Sequence, residues 1–194
     1  IGSTWHPLVH ENRKELAIQE DETAIVLVML GELYDYSKDK EFVLSLYTTL
    51  IQPAANFMAS YIDEETGLPH ASYDLWEEKF LTNSYTCFVV EHALRRAAEF
   101  AEMFDYPDDA VTWKKASALI HESAKLLFDP DRQAYRKGYY LQMDGSVKFD
   151  NTIDISSLYA ALMFGAPIAG SAALAQTAAA VEKHLMNPEQ AGGV

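Results

Sequence analysis

The stretch Tyr73-Asp-Leu-Trp-Glu-Glu-Lys-Phe80 decides how the chain is read. It sets an aromatic residue, an aspartate, a tryptophan and two consecutive glutamates between two helical patterns. Breaking a glycosidic bond asks for such a mixture. A carboxylic acid protonates the leaving oxygen, further carboxylates hold sugar hydroxyls, and a flat indole covers a sugar face. Neighbouring residues point to opposite sides of an extended segment and diverge by about 100° on a helix, so Glu77 and Glu78 cannot face each other across one bond. One can serve as the acid while the other binds hydroxyls or is merely solvated. Residue type alone favours the plain alternative, a solvated pair at a helix start.

Outward from the motif the chain reads as helices. Asp21 is placed to cap a helix whose apolar run extends from Ala24 through Leu33, with Glu22 in its first turn. A second begins near Asp39 and carries Phe42, Val43, Leu46, Leu50 and Ile51 at three- and four-residue spacing, with Pro53 kinking or restarting it. Asp63-Glu-Glu-Thr-Gly67-Leu-Pro69 is a turn ahead of the motif loop. A third helix is predicted over Ser84–Phe104. A fourth follows Pro107-Asp-Asp109 and places Trp113, Ala116, Ile120, Ala124 and Leu127 on one face. Ala134–Met143, followed by Asp144-Gly145, suggests a small β-hairpin. Asp150-Asn-Thr-Ile-Asp154 leads into a fifth helix ending at Phe164-Gly165, and a sixth runs from Ser171 to Met186. Helices apolar nearly all round need neighbours on two sides, which suits a double-layered helical toroid better than a small bundle. Periodicity by itself supports only an all-α domain.

The chain of 194 residues, 49% hydrophobic, is long enough for one domain with a real core. Its net charge of −14 argues against nucleic acid or an anionic membrane surface as partner, since both reward clustered Lys and Arg. The apolar runs, such as Ala24–Leu30, fall short of a membrane span. Cys87 is the sole cysteine and sits inside a helical pattern beside Phe88 and Val89, a core position, so no internal disulfide forms. The compartment is left open, and no signal-peptide pattern is visible. The start lacks Met and the end, Ala191-Gly-Gly-Val194, is loop-like, so both ends read as cut from something longer.

Five segments in order and spacing resemble prokaryotic members of glycoside hydrolase family 15, the glucoamylase and glucodextranase family. They are Trp5-His-Pro-Leu-Val-His10, Ile18-Gln-Glu-Asp-Glu-Thr-Ala24, Thr66-Gly-Leu-Pro69, Ser72-Tyr-Asp-Leu-Trp-Glu-Glu78 and the helix start at Tyr85-Thr86. The resemblance implies an (α/α)6 barrel, of which six helices are about half, with a small β-hairpin insertion. It implies one partial catalytic domain over residues 1–194, belonging to an exo-acting, inverting α-glucosidase that needs no cofactor. Its substrate would be an oligo- or polysaccharide with α-linked glucose. By the same resemblance Glu77 matches the general acid, Glu78 a substrate-binding carboxylate, and Trp76 and Asp74 line or support the glycone pocket. Tyr73 opens the same run and is taken with them as substrate-binding. An indole next to Glu77 would also shield its carboxyl and raise its pKa. Trp5 is read as a second sugar platform, with an aromatic plug at the domain edge as the equal alternative.

The general base and a glycone-binding arginine are expected beyond Val194, so the chain alone should be inactive. Its uncovered apolar faces should favour self-association. His6 and His10 stand at i, i+4, but Pro7 and the lack of a third ligand argue against metal. Gln19, Glu20 and Asp21 stand at the mouth end of a barrel helix in the resemblance. Asp108 and Asp109 read as the first turn of a helix rather than a Mg²⁺ site. The rival from another class is a non-catalytic all-α module that binds sugar or protein through the same loops.

Overall fold

A computed structural model describes residues 18–165, 171–187 and 189. Trp5, His6 and His10, and the closing Gly192-Gly-Val194, lie outside the described residues. The described chain is mostly helical with a small antiparallel sheet. Helices α1 (Glu20–Ser37), α2 (Lys40–Ser45), α3 (Gln52–Ser60), α4 (Ser84–Met103), α5 (Pro107–Ser123), α6 (Ile155–Ala160) and α7 (Ser171–Leu185) follow the expected pattern closely. Pro53 restarts the chain as expected. A single π-turn over Tyr47–Ile51 joins α2 to α3, so that Pro53 falls in the first turn of α3, where its missing N–H has no partner to lose.

Two helical layers emerge from the side-chain pairings. In the first layer, Arg96 of α4 donates to the Gly31 carbonyl (2.9 Å) and to Asp35 (2.8 Å) near the end of α1. His92 Nδ1 lies 3.0 Å from the Phe164 carbonyl at the end of the α6 segment. Early residues meet early and late meet late, so α1, α4 and α6 run parallel and their N-terminal ends share one rim. The second layer runs back over them. Ser117 of α5 donates to Glu91 of α4 (3.0 Å), and Lys114 pairs with Glu102. Asp109 accepts from Tyr47 (2.9 Å) and Gln52 (2.8 Å), a structural use for that carboxylate. Trp113, fully buried, donates its indole N–H to Asn56 at 2.9 Å. Between the layers sit Leu27, Phe88, Leu94, Phe100, Trp113 and Ile120, all essentially sealed from water. The outer edges stay apolar and open: Met29, Leu33 and Tyr36 on α1, and Tyr159, Leu162 and Met163 at the other end of the layer.

The sheet departs from the expected picture. Its order is β1 (Ser72–Tyr73), β2 (Phe80–Asn83), β5 (Gly138–Leu141), β6 (Val147–Asp150), all antiparallel, while β3 (Phe128–Asp129) and β4 (Ala134–Tyr135) pair separately. The expected hairpin does turn at Asp144-Gly145, with arms Gly138–Leu141 and Val147–Asp150; its first arm is shorter than the Ala134–Met143 run because Ala134 and Tyr135 pair with β3 instead. The motif is not a plain loop but the tip of a second hairpin, with Tyr73 opposite Phe80.

Gly138 is where these two hairpins touch. A Cβ there would lie 2.2 Å from the Thr82 carbonyl oxygen and 2.8 Å from Asn83 Cα, backbone atoms that cannot rotate away. Gly138→Ala should push β5 off β2 and destabilise the protein by about 1–3 kcal/mol. A thermal melt reads this as a drop of roughly 2–4 °C for each kcal/mol. An unchanged midpoint would contradict the close packing.

Candidate functional site

The motif hairpin is built around Asp74. This residue is 2% exposed, and its Oδ1 accepts from the backbone N–H groups of Glu78 (2.8 Å) and Lys79 (3.0 Å). Its backbone N–H donates to the Lys79 carbonyl (2.9 Å), and its carbonyl accepts from the Glu77 N–H (2.8 Å). These bonds force a chain reversal within six residues. Glu77 absorbs it with φ of 55°, a left-handed conformation that a non-glycine residue adopts only when its surroundings hold it there. The result separates the two glutamates: Glu77 is half-buried, whereas Glu78 is exposed.

Tyr73 and Trp76 are placed differently from each other. The Tyr73 N–H donates to the Ile18 carbonyl (3.0 Å), and its ring meets Phe80 edge-on at 5.3 Å, so its aromatic face is partly committed within the hairpin. Trp76 is 52% exposed, and its indole N–H points at both carboxylate oxygens of Asp154, at 3.0 and 3.1 Å. Trp76, Glu78, Lys79, Lys137, Thr152, Ile153, Asp154, Ile155 and Leu185 border an open cleft of about 390 Å³. Of the motif positions expected in the site, Trp76 and Glu78 border this cleft, Asp74 lies buried beneath them, and Glu77 sits in the turn between them without bordering it.

Lys137 and Asp154 form the part of the site that the sequence did not announce. The Lys137 ammonium, on a residue 4% exposed, lies 2.6 Å from Asp74 Oδ2 and 2.5 Å from Asp154 Oδ2. Asp154 also caps α6, accepting from the Ser156 N–H at 2.8 Å. Burial opposes its charge, but the hydrogen bonds from Lys137, Ser156 and Trp76 hold the Asp154 carboxyl below the usual carboxylate range. The Lys137 pKa is raised: burial pulls it down, and the hydrogen bonds it donates to Asp154 and Asp74 outweigh that. Next door, Lys79 pairs with Asp150 at 2.8 Å, and Asp150 falls to about 2 because Lys79 and Thr152 bond its oxygens against the opposing effect of burial.

Asp21 is not the helix cap its position suggested. The helix starts at Glu20, two residues ahead of the start that an Asp21 cap would set, with Gln19 in the capping position and no side-chain cap bond. Asp21 is instead packed into the first turn, 3% exposed, and burial pushes its carboxyl up to about 7, with Glu22 and Asp74 adding repulsion. Glu20 is fully buried, and burial raises its carboxyl well above the ordinary value despite the nearby Ser72 hydroxyl. For such acids the folded state holds the proton more tightly than the unfolded chain, so their contribution to stability is greatest in acid and falls as pH rises from about 4 through 7. Asp21→Asn should abolish much of that fall. Urea midpoints at pH 5 and 8 should differ less in the variant, the gain at pH 8 being of order 1–3 kcal/mol. Parallel behaviour of the two proteins would show that Asp21 is solvated.

Among the described residues no group of three or more His, Cys, Asp or Glu could hold a metal ion. Cys87 is fully buried, and burial raises its thiol pKa well above normal, as befits a core residue.

The profile of glycosyl hydrolases family 15 matches residues 8–189, and the chain belongs to that family. An uncharacterized glycosyl hydrolase from Methanocaldococcus jannaschii is 27% identical over 168 residues, covering 86% of this chain and 25% of that protein. The chain therefore spans about a quarter of the length of that curated relative. Two solved structures share the helical arrangement. A rhamnosidase from Klebsiella oxytoca superposes with a TM-score of 0.61 at 17% identity, covering 87% of this chain and 31% of its own. A GH78 family rhamnosidase of Bacillus sp. GL1 does so with a TM-score of 0.66 at 14% identity, covering 92% and 18%.

Proposed function

We propose that this chain is the acid-bearing half of the active site of a glycoside hydrolase, in a parent protein that extends beyond these 194 residues. The reaction is removal of terminal α-linked glucose with inversion, and the fold is about half of an (α/α)6 barrel. Glu77 protonates the leaving oxygen, Glu78 holds sugar hydroxyls, and Trp76 offers its exposed face to a sugar ring. Tyr73 and Trp5 complete the sugar contacts, while Asp74 acts from beneath. The water-activating base lies on the part of the barrel that faces this rim, roughly 6.5–9.5 Å from Glu77 to leave room for water.

The observation that carries this reading is the division of labour within the motif. Asp74 is taken up by two backbone N–H groups and by Lys137, and the turn it fixes presents one glutamate half-buried and the next exposed. Membership of family 15 and the shared rim of three parallel helices support it. The open apolar edges on α1 and α6 support the half barrel, since each is where a further hairpin would pack.

The test is an assay of the full-length parent and of this chain on maltose-type, isomaltose-type, trehalose and α-rhamnoside substrates. The reading expects glucose release by the parent and none above background by the chain. Robust turnover by the chain alone, or a parent that releases only rhamnose, would overturn it.

A further inference from the structure

We propose that Lys137 and Asp154 are positioning residues of this site: one buried ammonium ties the motif hairpin to the start of α6, and Asp154 in turn fixes the Trp76 indole. This deepens the reading of Glu77 as the acid and rests on it.

Lys137 is held by its own backbone on two sides. Its carbonyl accepts from the Ser84 N–H at the start of α4 (2.9 Å), and its N–H donates to the Asp150 carbonyl on β6 (3.1 Å). The preceding carbonyl, that of Arg136, accepts from the hydroxyls of Ser84 (2.8 Å) and Ser157 (3.1 Å), on α4 and α6. The lysine stem therefore leaves from a point fixed to both helices. Its ammonium then reaches Asp74, which shapes Glu77, and Asp154, which grips Trp76. The acid and the indole are registered against each other through one cation.

Lysine suits this place. Its compact ammonium has three donors, enough to satisfy two carboxylates from one point, whereas a flat guanidinium would need more room than a residue 4% exposed has. Asp154 has two separable duties. As a cap for α6 it can be replaced by serine, which caps nearly as well. As anchor for Trp76 and counter-charge for Lys137 it cannot. That separation makes the proposal testable without destroying the helix.

The experiment is steady-state kinetics of the full-length parent carrying Asp154→Ser, Trp76→Phe, both together, or Lys137→Met, beside Glu77→Gln. Asp154→Ser should keep its fold and KM within a few-fold while kcat falls by about 10²-fold, the loss expected from a misplacement of about 1 Å. The double variant should lose no more than the worse single one, because phenylalanine has no N–H for Asp154 to hold. Lys137→Met, where it folds, should match Asp154→Ser in kcat; where it does not fold, Asp154→Ser alone decides. A kcat for Asp154→Ser within two-fold of wild type, or losses that multiply in the double variant, would overturn the positioning role. Full activity of Glu77→Gln would instead sink the underlying reading, so the two failures are told apart.

Discussion

Glu77→Gln in the full-length parent should lower kcat for natural glucosides by about 10²–10⁴-fold with little change in KM. The substitution keeps the shape of the side chain and leaves the Glu77 N–H bonded to the Asp74 carbonyl, so the left-handed turn survives. What disappears is the proton delivered to the leaving oxygen. A sugar alkoxide cannot depart without it, whereas an activated aryl glucoside leaves as a stable phenolate and should be hydrolysed nearly as well as before. Glu78→Gln should behave differently and act mainly on KM, because an exposed carboxylate bordering the cleft holds substrate equally before and during bond breaking. Equal losses on both substrate classes would mean that Glu77 does not act as the acid.

Lys137→Met should be the most damaging single change to stability in the site. The lysine and its two aspartate partners have side chains at most 6% exposed. Removing the cation leaves two carboxylates facing each other without water, a defect of about 3–5 kcal/mol. The melting temperature should fall by roughly 6–20 °C in a chain of this size. The pH dependence carries a definite sign. The folded Asp154 carboxyl is held below its usual value, so in the wild type its contribution is present above about pH 4 and lost as pH falls through the folded value. In the variant the same two aspartates repel, and acid relieves them by protonating one. The gap between wild type and variant should thus close as pH falls below about 5. A gap that widens in acid, or a loss under about 1 kcal/mol, would show that the triad contributes little net stability.

The helices were legible because their cores repeat. Val43 and Ile51, or Trp113, Ala116 and Ile120, recur at helical spacing and are buried as that spacing requires. The sheet was largely hidden because its strands are two to four residues long, too short for an alternating pattern to register. Its pairing of β2 with β5 joins residues far apart in sequence and turns on a glycine whose neighbours are backbone atoms. Asp21 was misread because a cap and a first-turn acid look alike in sequence. They differ only in where the helix starts, and with the cap two residues earlier, at Gln19, Asp21 falls inside the first turn as a buried acid.

The motif itself was legible as a unit, and its inner division was not. Asp74 and Glu77 are neighbours in type and position, yet one is buried and bonds the backbone while the other sits half-buried in the left-handed turn. Lys137 gave no local signal beyond a charge next to a strand glycine, since both its partners lie at a distance along the chain. Asp154, followed by Ile-Ser-Ser, does carry the pattern of a helix cap, and its second duty toward Trp76 appears only when the hairpin folds over it.

In the proposed function Glu77 supplies one side of an inverting site whose base lies across the rim. Proton NMR of the parent protein acting on an α-linked glucose oligomer tests it most directly, by recording the anomer released before mutarotation. The account predicts β-glucose as the first product, with its appearance abolished by Glu77→Gln. Initial release of α-glucose, or unchanged β-glucose from the variant, would contradict it.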